Sequence, residues 1–181
     1  MKNFFKKDTI TIAKKLLGMQ LTVHHQHHSC GGIITETEAY TENDPACHAY
    51  NGKKTPRNQP MFYAAGHIYI YFIYGMYHCL NFVTENKNYG AAVLIRKIKP
   101  TIGLSNIQKN RPQITKNENL LNGPAKLMIG LEINPKWNGQ SLLNPNCPIK
   151  LSGKSSPNNQ VQTATRIGIS KGQNLQWRFY I

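Results

Sequence analysis

Four of the chain's eight acidic residues, Glu36, Glu38, Glu42 and Asp44, fall within nine positions of a 181-residue sequence that carries 22 lysines and arginines and a formal charge of +14. A positive excess of that size calls for a polyanion, with nucleic acid the first reading and an anionic membrane surface the second. Carboxylates near a polyanion weaken binding, so they are kept for chemistry, for capping a turn, or because they face away. Glu42 and Asp44 stand beside Asn43 and Pro45, and turn chemistry accounts for both as solvated side chains. Glu36 reads as an ordinary charged neighbour. Glu38 is different, because it lies in the alternating run Ile33-Ile-Thr-Glu-Thr-Glu-Ala-Tyr40, on the strand face that also carries Glu36 and Tyr40. A carboxylate in that place needs a reason, and chemistry is one.

Other candidates surround it in the chain. The run Ile68–Ile73 is β-branched or aromatic throughout, Gly75 permits a reversal, and a return strand starts near Tyr77. This predicts a hairpin with Tyr74 at its tip and four of the nine tyrosines on it. Aromatic faces of that kind suit nucleic-acid bases. From strand pattern alone Tyr69 and Tyr77 are core residues, and Tyr71 divides between core and pocket. In the loop from Asp44 to Asn58, Lys53, Lys54 and Arg57 can reach phosphates and His48 can point toward Glu38. Arg96 interrupts the apolar run Ala91–Ile98, where a charge needs a partner. Pro124 after Gly123 suits the first turn of a helix to about Leu131, and that start, with Lys126, can hold a phosphate.

The elements that position these residues read as follows. Asp8 and Thr9 cap a helix through Leu17, ended by Gly18. Met19–Val23 is a strand, Ser29–Gly32 a turn, Pro100–Lys109 a short helix and Gln108–Asn119 a polar surface loop. Pro148–Leu151, Gln162–Ile169 and Gln176–Tyr180 are strand candidates. With no internal repeat and no linker, the expectation is one α+β domain over residues 1–181. The four cysteines are scattered, without a C-x-x-C pair, and read as reduced structural thiols. The cluster His24-His25-Gln26-His27-His28 lacks a second group of ligands and reads as a solvated turn, so no metal site is expected. The H-x-E and P-C-x-x-C elements of a zinc deaminase are absent. With no long apolar run and no basic amphipathic helix, no membrane partner is expected, and a cytoplasmic location follows, nucleoid-associated in a bacterium.

Glu36-Thr-Glu-Ala-Tyr40, Thr55-Pro-Arg-Asn58, Met61-Phe62, Tyr69-x-Tyr71, Ile73-Tyr-Gly-Met-Tyr77, Asn81 and Gly123-Pro124 together resemble the motif series of the alkyladenine (3-methyladenine) DNA glycosylase family of the mammalian type. The match runs in order from about Ala13 to Phe179. The resemblance implies a mixed domain on a curved, mainly antiparallel sheet with a few short flanking helices. It implies a base excision repair enzyme that hydrolyses the N-glycosidic bond of alkylated or deaminated purines in double-stranded DNA, as a monomer and without metal or cofactor. By the same resemblance Glu38 is the general base, and Arg96 stands near the catalytic water. Tyr40, His48, Tyr71 and Asn81 receive the flipped base, and Tyr74 is wedged into the duplex. Thr55, Arg57, Met76, Tyr77 and Lys126 lie along the DNA backbone. No lysine adjoins these motifs as a Schiff-base nucleophile, which implies a monofunctional enzyme.

Two other classes share parts of this pattern. A non-catalytic DNA- or RNA-binding module would use the charge and the tyrosines but has no use for Glu38. A hydrolase or transferase acting on a nucleoside or tRNA would use Glu38 on a different substrate.

Overall fold

The computed structural model describes residues 4–181, less the side chain of Asn158. Its axis is one long strand. Strand β2, Ser29–Thr41, follows β1, Gln20–His24, and pairs with it antiparallel along its first residues. Farther along, β2 pairs with β8, Arg178–Tyr180, and over nearly its whole length with β5, Ala91–Ile102. The hairpin β3, Ile68–Ile73, and β4, Tyr77–Val83, extends the sheet through β4 to β5. Strand β6, Ile149–Ser152, closes the far edge on β1, and β7, Gln162–Ala164, pairs with β8. The main path is therefore β3-β4-β5-β2-β1-β6, an open antiparallel sheet with helices beside it, which is the α+β class expected.

Among the described residues three short α-helices flank it. Helix α1, Thr9–Leu16, begins where the Asp8 carboxylate accepts the Thr11 N–H at 2.8 Å. It buries Ile12, Ala13 and Leu16 in the main core. Gly18, at φ 82°, follows its end, as expected. Helix α2 spans Leu104–Asn110 and α3 spans Pro124–Gly130, the latter starting at the expected proline. Among the described residues no helix is long and apolar enough to cross a membrane. All four cysteines are buried and unpaired.

Several local expectations fail for identifiable reasons. Ser29–Gly32 is not a turn but the start of β2, and its glycines mark crowding rather than reversal. A Cβ on Gly31 would lie 2.1 Å from the Leu21 carbonyl oxygen, and one on Gly32 2.0 Å from that of Lys99. Neighbouring strands approach there too closely for any side chain. The reversal is made instead by residues 25–28, where His25 is half-buried against Trp137 rather than solvated. Strand β5 runs through Pro100, which stands opposite Gly32 beside a register shift, and so the helix begins only at Leu104. The segment 108–119 is tied down in part by Arg111, which donates to the Leu120 carbonyl at 2.9 Å. In the tail only Gln162–Ala164 of the expected 162–169 strand forms. Gly32→Ala, which forces backbones apart in the middle of the sheet, will lower stability by about 2 kcal/mol, read as a shifted midpoint in urea denaturation.

Candidate active site

Burying a carboxylate without donors is costly, so the surroundings of Glu38 reveal what the fold is arranged to hold. Glu38 has no exposed surface. Its Oε2 accepts the Tyr40 hydroxyl at 2.7 Å, and its Oε1 accepts the Ile167 N–H at 2.9 Å with Arg96 Nη1 at 3.3 Å. Arg96 also donates from Nε to Glu36 Oε1 at 3.0 Å, and Arg178 Nη1 reaches the same oxygen at 3.2 Å. Glu36 is thus the partner that holds Arg96 in place, more than a charged neighbour. The alternation of β2 puts Glu36, Glu38 and Tyr40 on one face, and β5 delivers Arg96 to it.

Glu38 itself does not line the neighbouring cavity of about 570 Å³, but its partners Tyr40, Arg96 and Ile167 do, together with His48, Tyr71 and Asn81. The His48 and Tyr71 rings meet edge to face at 4.6 Å, and His48 Nδ1 is 2.9 Å from the Tyr69 hydroxyl. Burial, then the nearby Arg57, lowers the His48 pKa to about 4, so its imidazole is neutral at pH 7. Burial and the adjacent Glu38 raise the Tyr40 pKa, and the phenol remains a donor. Asn81, in the return strand β4, donates to the carbonyls of Tyr69 at 3.0 Å and Cys79 at 3.2 Å. Both donors are engaged by main chain, so its side chain is a fixed part of the wall.

The hairpin tip is at the mouth. Tyr74 is 73% exposed and has φ 54°, with Gly75 at φ 69° beside it. Tyr77 also lines the cavity and is 39% exposed, against the core reading from strand pattern. It begins β4 where the hairpin projects past its neighbours, whereas Tyr69 is buried as expected. Met76 is exposed on the tip. Arg57 lies beside the site, donating to the Phe72 carbonyl at 2.9 Å with its guanidinium 5.5 Å from the Tyr71 ring centroid. Thr55 lies outside the cavity lining and closes a local turn with Asn58. Pro124 and Ala125 of α3 line the cavity, whereas Lys126 does not and donates to Asn122 at 2.7 Å.

Folding adds a second buried charge pair. Asp44, expected in solvent, is fully buried in a bidentate pair with Arg166, whose Nη2 donates to Oδ1 at 2.9 Å. Arg166 also donates to the carbonyls of Ala39 at 3.0 Å and Gly172 at 3.2 Å, and stacks over the Tyr40 ring at 4.6 Å. It anchors the segment Ile167–Lys171, which forms one wall of the cavity and supplies the N–H on Glu38. Glu42, also expected in solvent, accepts the Gly90 N–H at 2.7 Å. The sequence signal for Arg166 was a lone charge among small and apolar residues, and its partner is 122 positions away.

The family model of methylpurine-DNA glycosylase (MPG) matches residues 3–181. The chain belongs to the methylpurine-DNA glycosylase family. Relatives agree over almost their whole length. A protein of Carboxydothermus hydrogenoformans is 43% identical over 180 residues, covering 99% of this chain and 93% of the relative. One of Francisella tularensis is 45% identical over 175 residues, covering 96% and 90%. One of Methanoculleus marisnigri is 42% identical over 183 residues, covering 98% and 92%. Each bears the name "Putative 3-methyladenine DNA glycosylase". As a member of this family the chain is a DNA glycosylase, an enzyme of DNA repair.

The neutral His48 sets a pH dependence. The unfolded side chain titrates near its ordinary 6.5 and the folded one near 4, so between these values the unfolded chain binds more protons. This contribution is complete above about pH 6.5 and is lost as pH falls toward 4. Urea denaturation will show a lower stability at pH 5 than at pH 7, and His48→Gln will reduce that difference.

Proposed function

We propose that this chain, acting as a monomeric single domain, excises damaged purines such as 3-methyladenine from double-stranded DNA. It turns the nucleotide into the cavity and hydrolyses the N-glycosidic bond with a water activated by Glu38. The observation that carries this reading is a fully buried carboxylate, hydrogen-bonded by Tyr40 and the Ile167 N–H and paired with Arg96, whose three partners line a cavity that also presents His48 and Tyr71. As the bond to the base breaks, its electron pair leaves with the base and the sugar becomes oxocarbenium-like. Water then bonds to C1′ and gives its proton to Glu38, whose charge also stabilises the developing cation.

The remaining wall suits this substrate. Flat aromatic faces accept any purine and favour a cationic, alkylated one. A neutral His48 avoids placing a positive charge against such a base, and Asn81, held by the Tyr69 and Cys79 carbonyls, would disfavour an extra exocyclic group on the base edge it meets. Tyr74 fills the space in the duplex that the base vacates. An aromatic residue held at φ 54° costs roughly 1–2 kcal/mol, and here the strain presents its ring to solvent. Arg57, Met76 and Tyr77 flank that tip, and Thr55 and Lys126 add more distant contacts to the DNA backbone. Lys171 lies in the cavity wall but is exposed, without the desolvation that activates an amine nucleophile, so the abasic site is left intact.

The test is base release from duplexes each carrying one damaged purine. Glu38→Gln keeps the hydrogen bonds, since its amide oxygen accepts from Ile167 and its NH₂ donates to the Tyr40 hydroxyl. Release will fall by about 10²–10⁴-fold while duplex binding persists, and borohydride will trap no covalent adduct. Undiminished release would overturn the role of Glu38, and a trapped adduct the monofunctional reading. Tyr74→Gly removes the ring and the strain together. It will fold at least as stably as the wild type, yet release damaged bases from duplex DNA more slowly.

A further inference from the structure

We propose that His25, His28, Cys30 and Glu132 form a structural site for a divalent transition metal of the zinc type. The turn 25–28 alone offers too few ligands, and folding supplies the rest. The ligand atoms of His25, His28 and Cys30 lie within 4.8 Å of one another. His25 Nε2 is 3.6 Å from Cys30 Sγ, and His28 Nε2 is 3.3 Å from Glu132 Oε2. Zinc bonds of about 2.0–2.3 Å in a tetrahedron require donor separations of about 3.3–3.8 Å, so two edges already have the required length.

Two features point to a ligand rather than to packing alone. His28 Nε2 is buried without a hydrogen-bond partner, since Glu132 is near but misaligned. The two imidazole rings stack at 4.6 Å, which brings two donors to one place. Glu132 is delivered just after α3 by a left-handed backbone at φ 50°. One thiolate and one carboxylate would neutralise a divalent cation exactly where the net charge of +14 otherwise repels one.

Without metal the cluster is a hydrogen-bonded clasp. His25 Nε2 lies 3.1 Å and Cys30 Sγ 3.5 Å from the Leu131 carbonyl oxygen. The buried Cys30 thiol carries its proton in this state as the donor to the Leu131 carbonyl. Metal binding would release that proton to solvent, turn His25 Nε2 from the carbonyl to the ion and leave its proton on Nδ1. The ion would then tie the β1–β2 turn to the end of α3, about 100 residues later in the chain. Cys30 is eight residues along β2 from Glu38, roughly 25 Å, so the ion would take no part in base release.

The experiment titrates the metal-stripped full chain with Co²⁺ and then Zn²⁺. The expected result is one ion per chain, a thiolate-to-cobalt charge-transfer band displaced by Zn²⁺, release of about one proton, and a higher melting temperature. Cys30→Ser will abolish the band. His28→Ala and Glu132→Gln, both at partly exposed positions, will weaken binding at least about tenfold and release damaged bases as the metal-free wild type does. His27→Ala, which removes an exposed neighbour, will leave binding unchanged. Absence of one-to-one binding, binding without the thiolate band, or equal weakening by His27→Ala and His28→Ala would each overturn the proposal.

Discussion

A carboxylate with no solvent contact must be matched by donors, and that requirement at Glu38 organises this molecule. Its two hydrogen-bond donors and its ion-pair partner come from three places: Tyr40 on the same strand, the Ile167 N–H from the tail and Arg96 on β5. Losing any of them would leave charge or hydrogen-bonding capacity unmet in a poorly solvated site. The sheet therefore has to bring β5 beside β2 in one register, and the tail has to return across the same face. Arg96 in turn needs Glu36, and the tail needs Arg166 seated on Asp44. Three arginines, Arg96, Arg166 and Arg178, and three carboxylates, Glu36, Glu38 and Asp44, thus form a connected base beside the cavity.

Charge is sorted by depth around this base. The acids of residues 36–44 are consumed internally, by arginines or by a backbone N–H, so they do not oppose the basic exterior that a DNA partner meets. The aromatic hairpin is sorted in the same way. Tyr69 and Tyr71 share one face of β3, Tyr69 buried at its inner end and Tyr71 half-buried in the wall, and the reversal at Gly75 projects Tyr74 at the mouth. Rigid walls and an exposed tip are compatible because the strained residue is at the end of the hairpin, where no neighbour must adjust.

Much of this was legible in the residues. Glu38 was singled out by a carboxylate in a regular strand of a basic chain, Arg96 by a charge in an apolar run, and the β3–β4 hairpin by β-branched and aromatic residues before a glycine. Such signals are local, since they depend on periodicity and on the cost of burying charge. Errors arose where a local signal had a long-range cause. Gly31 and Gly32 looked like a turn because glycine is common in turns, but here adjacent strands exclude a Cβ. Asp44 beside Pro45 looked solvated, because its partner Arg166 is 122 positions away.

The sequence by itself determined the class of fold, the family and the hairpin, because alternation and motif spacing are written along the chain. Only the tertiary structure decided which acids are buried, that Ile167–Lys171 closes the cavity, and that Cys30 and Glu132 meet the histidine turn. Those outcomes depend on which distant segments the sheet brings within hydrogen-bonding reach. A short-range force acts only after that approach, so no reading of neighbours along the chain contains it.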